Sequence, residues 1–226
     1  MKFVAGTPKS AATAVAKQLD AELKAGKRVI WLVCGGSNIA AEVDIMTQLQ
    51  KTSADTLANL LILPMDERYG SPGHADSNYK QMKDAGFEPG AALWVDVLSQ
   101  DQPLAETINY YGAMTETAFA SADYILGVFG LGTDGHTAGV LPHTPATATD
   151  AKAVVGYDSP PYTRLTLAPH LLIQTSAAYV LAYGPTKKVP LERLQHNNEP
   201  REALPSELFY DIADVYVYND AITTEE

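Results

Sequence analysis

Apolar positions along the 226-residue chain alternate between helix-spaced and strand-like patterns. Over residues 8–27, Ala12, Val15, Ala16, Leu19 and Leu23 recur at helical spacing, with Pro8 near the start and Gly26 near the end, which predicts an amphipathic helix. Residues 28–34 form instead a short β-branched and aromatic run that stops at Gly35-Gly36 and leads through Ser37-Asn38 into a helical pattern over residues 39–49. The implied unit is strand, tight turn, helix. It recurs, with apolar strands predicted at 60–65 and 124–129, further runs at 164–167, 177–183 and 215–218, and helices at 104–119 and 187–195. Near-continuous apolar strands alternating with helices imply a single α/β domain spanning 1–226, with a mostly parallel sheet covered on both faces. Such sheets bind ligands at the carboxyl ends of their strands. Residues 141–161 carry four prolines and the small-residue stretch 144–150, which predicts a long surface loop, either a tolerated insertion or a lid.

Composition narrows the class. Apolar residues make up 46% and charged ones 19%, so the chain should bury a core rather than remain disordered. A formal charge of −11 disfavours nucleic acid and anionic membrane as partners, and any anionic ligand needs a local basic pocket. One cysteine, Cys34, excludes an internal disulfide framework and fits a reducing cytoplasm. No apolar run approaches the roughly eighteen residues of a membrane span, and the first residues lack a signal-peptide core, so a cytoplasmic location is expected.

Chemistry concentrates after the strands. Gly130-Leu-Gly-Thr-Asp-Gly-His136 follows the 124–129 run, its glycines permitting positive φ and close ligand approach. The spacing also satisfies a dinucleotide fingerprint, but that motif should open a long helix, and Pro142 follows Gly135 by seven residues. If 134–136 is extended, Asp134 and His136 share a face. A carboxylate beside an imidazole favours its protonated form, which suits His136 to accept a proton from water. The competing role is a histidine that only caps a turn. In Pro64-Met-Asp-Glu-Arg68, Asp66 and Arg68 should project to one face and Glu67 to the other, as a ligand-binding edge or a surface ion pair. Gly35-Gly36-Ser37 presents backbone N–H groups at a helix start, where an anion docks favourably. Cys34 beside it is expected to be packing rather than a nucleophile. Arg164 and Lys187 are candidate fixed cations for a phosphorylated ligand. The histidines are dispersed and no compact carboxylate cluster appears, so no metal site is expected.

Taken in order, Gly35-Gly-Ser37, Asp66-Glu-Arg68, Asp76-Ser-Asn-Tyr79, the stretch from Gly130 to Ala138, Arg164-Leu-Thr-Leu167, Gly184-Pro-Thr-Lys187 and Leu204-Pro-Ser206 resemble the motifs of the 6-phosphogluconolactonases, within the wider sugar-phosphate isomerase and deaminase superfamily. The resemblance implies a three-layer α/β/α sandwich with a Rossmann-like sheet, hydrolysis of a 6-phosphoglucono-lactone in the oxidative pentose phosphate pathway, and no cofactor. It implies His136 as general base with Asp134 beside it, and Arg68 near the lactone. Gly36, Ser37, Arg164 and Lys187 then resemble the phosphate-binding set, with Gly35 and Asp66 grouped among the substrate-binding residues. A small sugar phosphate is the expected partner, and the chain a monomer or homodimer. Two stretches depart from the family pattern: Gly139-Val140-Leu141-Pro142 stands for Ser-Leu-Phe-Pro, and Asn38-Ile39 for Thr-Pro. The related glucosamine-6-phosphate deaminases follow the histidine with Ala-Phe-Asn-Glu-Pro, whereas Leu141 occupies the glutamate position here, and they resemble Asp-Glu-Tyr where this chain has Asp66-Glu-Arg68. A sugar-phosphate sensor without chemistry is the remaining alternative, and it would need neither Asp134, His136 nor Arg68.

Overall fold

A computed structural model describes residues 1–148 and 152–222. Among them the strands are β1 (Lys2–Ala5), β2 (Val29–Val33), β3 (Leu60–Pro64), β4 (Asp66–Arg68), β5 (Leu93–Trp94), β6 (Tyr124–Gly130), β7 (Val154–Ser159), β8 (Tyr162–Leu167), β9 (Ala177–Ala182) and β10 (Asp214–Asn219). The helices are α1 (Pro8–Lys24), α2 (Ile39–Leu49), α3 (Ala54–Leu57), α4 (Asn78–Asp84), α5 (Leu104–Ser121), α6 (Pro169–Leu172) and α7 (Lys188–His196). The main sheet has the order β1-β10-β9-β6-β2-β3-β5 with every pairing parallel, and β4, β8 and β7 form a small antiparallel sheet.

The five residues of β2 are all buried, as expected for a strand covered on both faces. Their alternation divides the interior in two. Val29, Trp31 and Val33 pack with the buried faces of α1 and α2, whereas Ile30 and Leu32 join Tyr111 of α5, Phe129 and Leu191 of α7. Each large side chain so buried contributes roughly 1.5–3 kcal/mol. Helices on both faces of a parallel sheet make this a three-layer α/β/α sandwich. The predicted first helix begins at Pro8, where Thr7 accepts from the Ser10 N–H and Ser10 reciprocates in a capping box, but it ends at Lys24 rather than residue 27. No helix among the described residues is long and apolar enough to cross a membrane.

Two expectations are corrected. The 164–167 run does not belong to the parallel sheet: it pairs antiparallel with β4, because the chain leaves the main sheet after Pro64 and turns Asp66–Arg68 into a second layer. The predicted 141–161 loop is likewise shorter, since 154–159 is β7, joined to β8 through Pro160-Pro161. Pro160 and Pro161 mark the hairpin turn rather than the end of a long surface loop. Pro145–Thr147 adds one 3₁₀ turn, and residues 149–151 lie outside the described residues.

Candidate active site

The strand order places the site. β2 leads on to β3 on one side, while its other neighbour β6 leads on to β9, so connections leaving β2 and β6 diverge and open a crevice at their carboxyl ends. Segments following β2, β3, β6 and β9 meet there.

After β2, Gly35 turns the chain into a 3₁₀ turn at Gly36–Asn38 that runs into α2. A side chain at Gly35 has no room, since its Cβ would lie 1.9 Å from Asn78 Oδ1. The turn is tied down on both flanks: Asn38 Nδ2 donates to the Phe129 carbonyl at 2.9 Å, and the Cys34 N–H donates to Glu42 Oε1 at 2.7 Å. Because the Ile39 N–H already donates to the Gly36 carbonyl, the N–H groups that precede any intrahelical acceptor are those of the 3₁₀ turn at Gly36 and Ser37, and these favour an anion here.

After β3, alternation sends Asp66 and Arg68 into the cavity and Glu67 away from it. Glu67 is buried and holds the start of α4, accepting from the N–H groups of Asn78 at 2.6 Å and Tyr79 at 3.1 Å and from Ser77 Oγ at 3.0 Å. Within the 76–79 motif, Asn78 reaches the cavity, Ser77 caps α4, and the Asp76 carbonyl accepts from Arg68 Nη1 at 3.0 Å.

After β6, residues 134–136 are not extended. The chain turns, with Gly135 at φ +89° donating to the Gly132 carbonyl at 3.0 Å. Asp134 and His136 nevertheless meet, because the carboxylate folds over its own turn: Oδ1 accepts the His136 N–H at 3.1 Å and lies 2.6 Å from His136 Nδ1. The helix that a dinucleotide fingerprint would open does not follow; Thr137 bridges to Val140 instead. After β9, Lys187 closes a short 3₁₀ turn and its Nζ donates to the Leu131 carbonyl at 2.5 Å, linking the last two connections.

These segments line an open cavity of about 260 Å³, slightly below the usual range for small-ligand pockets. Gly35, Gly36, Ser37, Asp66, Arg68, His136, Arg164 and Lys187 all line it, and Asp134 reaches it through His136. Burial pushes the Asp66 carboxyl up, against the opposing pull of Arg68, Arg164 and His136. Burial works on Asp134 in the same sense, but the hydrogen bond and charge of His136 prevail and hold it at about 2. Desolvation lowers Lys187, partly offset by Asp134. Cys34 is buried and its thiol is pushed well up by desolvation and by Glu42, in keeping with a packing role. Among the described residues no group of three or more His, Cys, Asp or Glu is placed to hold a metal ion.

Sequence reading did not single out Asn38, Asn78 or Glu42 as site residues. For Glu42 a signal existed: it falls among Ala41, Ile45, Met46 and Leu49 on the buried face of α2, where a carboxylate is out of place without a task.

The sequence matches the family described as glucosamine-6-phosphate isomerases/6-phosphogluconolactonase over residues 5–217, and the chain belongs to that family. It is 28% identical over 157 residues to the 6-phosphogluconolactonase of Helicobacter pylori, covering 67% of this chain and 68% of that one. Among solved structures, a monomeric glucosamine-6-phosphate deaminase superimposes with a TM-score of 0.76 at 19% identity, covering 97% of each chain. The 6-phosphogluconolactonase of Leishmania guyanensis gives 0.76 at 17% identity, covering 96% of this chain and 95% of that one. The fold is therefore shared by both activities, and choosing between them falls to the site.

Proposed function

We propose that the protein hydrolyses 6-phospho-D-glucono-1,5-lactone to 6-phospho-D-gluconate, the lactone-opening step of the oxidative pentose phosphate pathway. The observation that carries this reading is the His136–Asp134 pair on the same cavity as Arg68, Arg164 and Lys187. With Nδ1 donating to Asp134, the ring presents Nε2 as a base. In this mechanism Nε2 takes a proton from water, the hydroxide attacks the lactone carbonyl, and Arg68 or a backbone N–H stabilises the oxyanion. The ring oxygen then leaves with the proton returned by His136. The turn at Gly35, Gly36 and Ser37, with Arg164 and Lys187, holds the phosphate, and Asp66 orients the sugar end. General-base assistance is worth roughly 10² to 10⁴ in rate and one oxyanion donor roughly 10² to 10³, which suffices for an activated ester without a cofactor. Residues 1–226 act as one catalytic domain in this reading.

Deamination of glucosamine 6-phosphate is the competing activity within the fold. The segment after His136 speaks against it: Leu141 stands where the deaminase pattern carries its glutamate, and Gly139 packs against Thr166, whose Oγ1 accepts the Gly139 N–H at 3.1 Å. The test is a coupled assay on freshly generated lactone, with the uncatalysed rate subtracted, run beside ammonia release from glucosamine 6-phosphate. His136→Ala is expected to lower lactone turnover at least about 10²-fold while binding of 6-phosphogluconate persists. Ammonia release at a comparable rate, or an undiminished His136→Ala enzyme, contradicts the assignment.

A further inference from the structure

We propose that Tyr162 is a positioning residue of this cavity: its ring holds the guanidinium groups of Arg68 and Arg164 side by side as a paired clamp for the anionic oxygens of the ligand. The proposal rests on the reading of the cavity as a sugar-phosphate site.

Strand register sets the arrangement. In the antiparallel β4–β8 pair, Arg68 lies directly opposite Arg164 and Asp66 opposite Thr166. Opposed residues share a face, and Tyr162, two residues before Arg164 on β8, shares it as well. Like charges directly opposite one another destabilise a sheet, so folding alone gains nothing from this pair. Elsewhere in the chain a carboxylate neutralises each arginine: Arg28 with Asp123 at 2.9 Å, Arg193 with Glu199 at 2.6 Å and Arg201 with Asp211 at 2.5 Å. Among the described residues no carboxylate lies within ion-pair distance of Arg68 or Arg164, and the Nε of each is buried without a hydrogen-bond partner. What the two have in common is the Tyr162 ring, its centroid 5.3 Å from Arg68 Cζ and 5.4 Å from Arg164 Cζ. Both lie inside the roughly 6 Å range of a cation–π contact.

The choice of an aromatic ring over a carboxylate has a physical consequence. A carboxylate would orient the guanidiniums but would also compete with an incoming phosphate or carboxylate for the same N–H groups. A ring attracts the cations through its quadrupole and claims none of their in-plane donors, of which Arg68 Nη1 is held by the Asp76 carbonyl and the others are left for the ligand. Asp66, one pair further along the same face, moderates the doubled charge without pairing to either arginine.

The test measures KM for freshly generated phospholactone and the inhibition constant of 6-phosphogluconate, with thermal midpoints as the folding control. Tyr162→Phe keeps the π face and should stay within about twofold of wild type. Tyr162→Leu should raise both constants together by about five- to thirtyfold, which corresponds to about 1–2 kcal/mol spread over two cation–π contacts. In an Arg164→Gln background the leucine substitution should cost distinctly less, because one of the two guanidiniums is gone. Pentafluorophenylalanine at position 162 preserves ring shape while removing the negative face, so it should behave like leucine even if Tyr162→Leu fails to fold. An unchanged inhibition constant in the pentafluorophenylalanine protein, a Phe variant as impaired as Leu, or a full penalty persisting without Arg164 overturns the proposal. Should wild type fail to open the lactone, the functional reading falls on its own. Calorimetry with inorganic phosphate then still decides the clamp, which requires wild type and Tyr162→Phe to bind more tightly than Tyr162→Leu.

Discussion

His136 and Asp134 meet within a turn, and that placement governs how each substitution should behave. Asp134 Oδ1 holds both the main-chain N–H and Nδ1 of His136, so it fixes ring orientation and tautomer together. Asp134→Asn keeps the shape and removes the charge; kcat should fall roughly 10²- to 10⁴-fold with little change in KM, as steady-state kinetics would measure. A change confined to KM would assign Asp134 to binding instead. Glu42 poses a different question, being a fully buried carboxyl with its Oε2 unpartnered and its proton affinity raised well above normal by desolvation. Because the folded state holds that proton more tightly than the unfolded chain, the contribution of Glu42 to stability is full at acid pH and declines as pH rises. Glu42→Gln should therefore gain stability relative to wild type as pH rises above the ordinary carboxylate range. Denaturant titrations at several pH values test this, and a Gln variant that tracks wild type throughout excludes it.

At the level of elements, the site depends on connections rather than on the strands themselves. β4 is three residues long, yet its alternation assigns Asp66 and Arg68 to the ligand and Glu67 to α4. Glu67→Ala would leave buried N–H groups at the start of α4 without an acceptor, at a cost of about 2–4 kcal/mol in urea unfolding. It should also weaken ligand binding, because Asn78 belongs to the same helix start. Gly35→Ala drives a methyl into Asn78 Oδ1 and should raise KM with the fold retained. A Gly35→Ala enzyme with unaltered KM would show that Asn78 moves away at no cost. The facing of Asp66, Glu67 and Arg68 was legible from period-two alternation. The partner strand β8 was legible as the 164–167 run, but its antiparallel pairing with β4 was not, and β7 beyond it was missed because residues 154–159 alternate weakly and sit close to prolines that read as loop.

For the whole molecule, two sets of carboxyls oppose each other. Asp20, Asp134 and Glu199 are lowered, chiefly by hydrogen bonds from Lys24, His136 and Arg193 that outweigh desolvation, so their contributions are complete above the ordinary carboxylate range and vanish as pH falls below it, down to about 2 for Asp134. Glu42, Asp66, Glu67 and Glu207 are raised by burial, and their contributions fade as pH rises above that range. Self-repulsion from a net charge of −11 grows in the same direction. Thermal stability should accordingly peak at roughly pH 5 and decline toward pH 8. A midpoint that rises steadily across that interval contradicts this balance.

What the sequence determined by itself was the class of fold and the inventory of chemistry. Apolar runs such as 29–33 can only be satisfied by burial on both faces, and glycine-punctuated polar motifs directly after such runs can only lie at strand ends. Tertiary structure alone decided which of those motifs touch. It placed β4 against β8, so that Arg68 faces Arg164 across Tyr162, while Asp134 folds back onto His136 through a turn rather than an extended strand. Local preference acts over a few residues and suffices for the turn that joins Asp134 to His136, whereas the contacts of Arg68 with Tyr162 and Arg164 join positions about a hundred residues apart, and only packing around the two cores sets that distance.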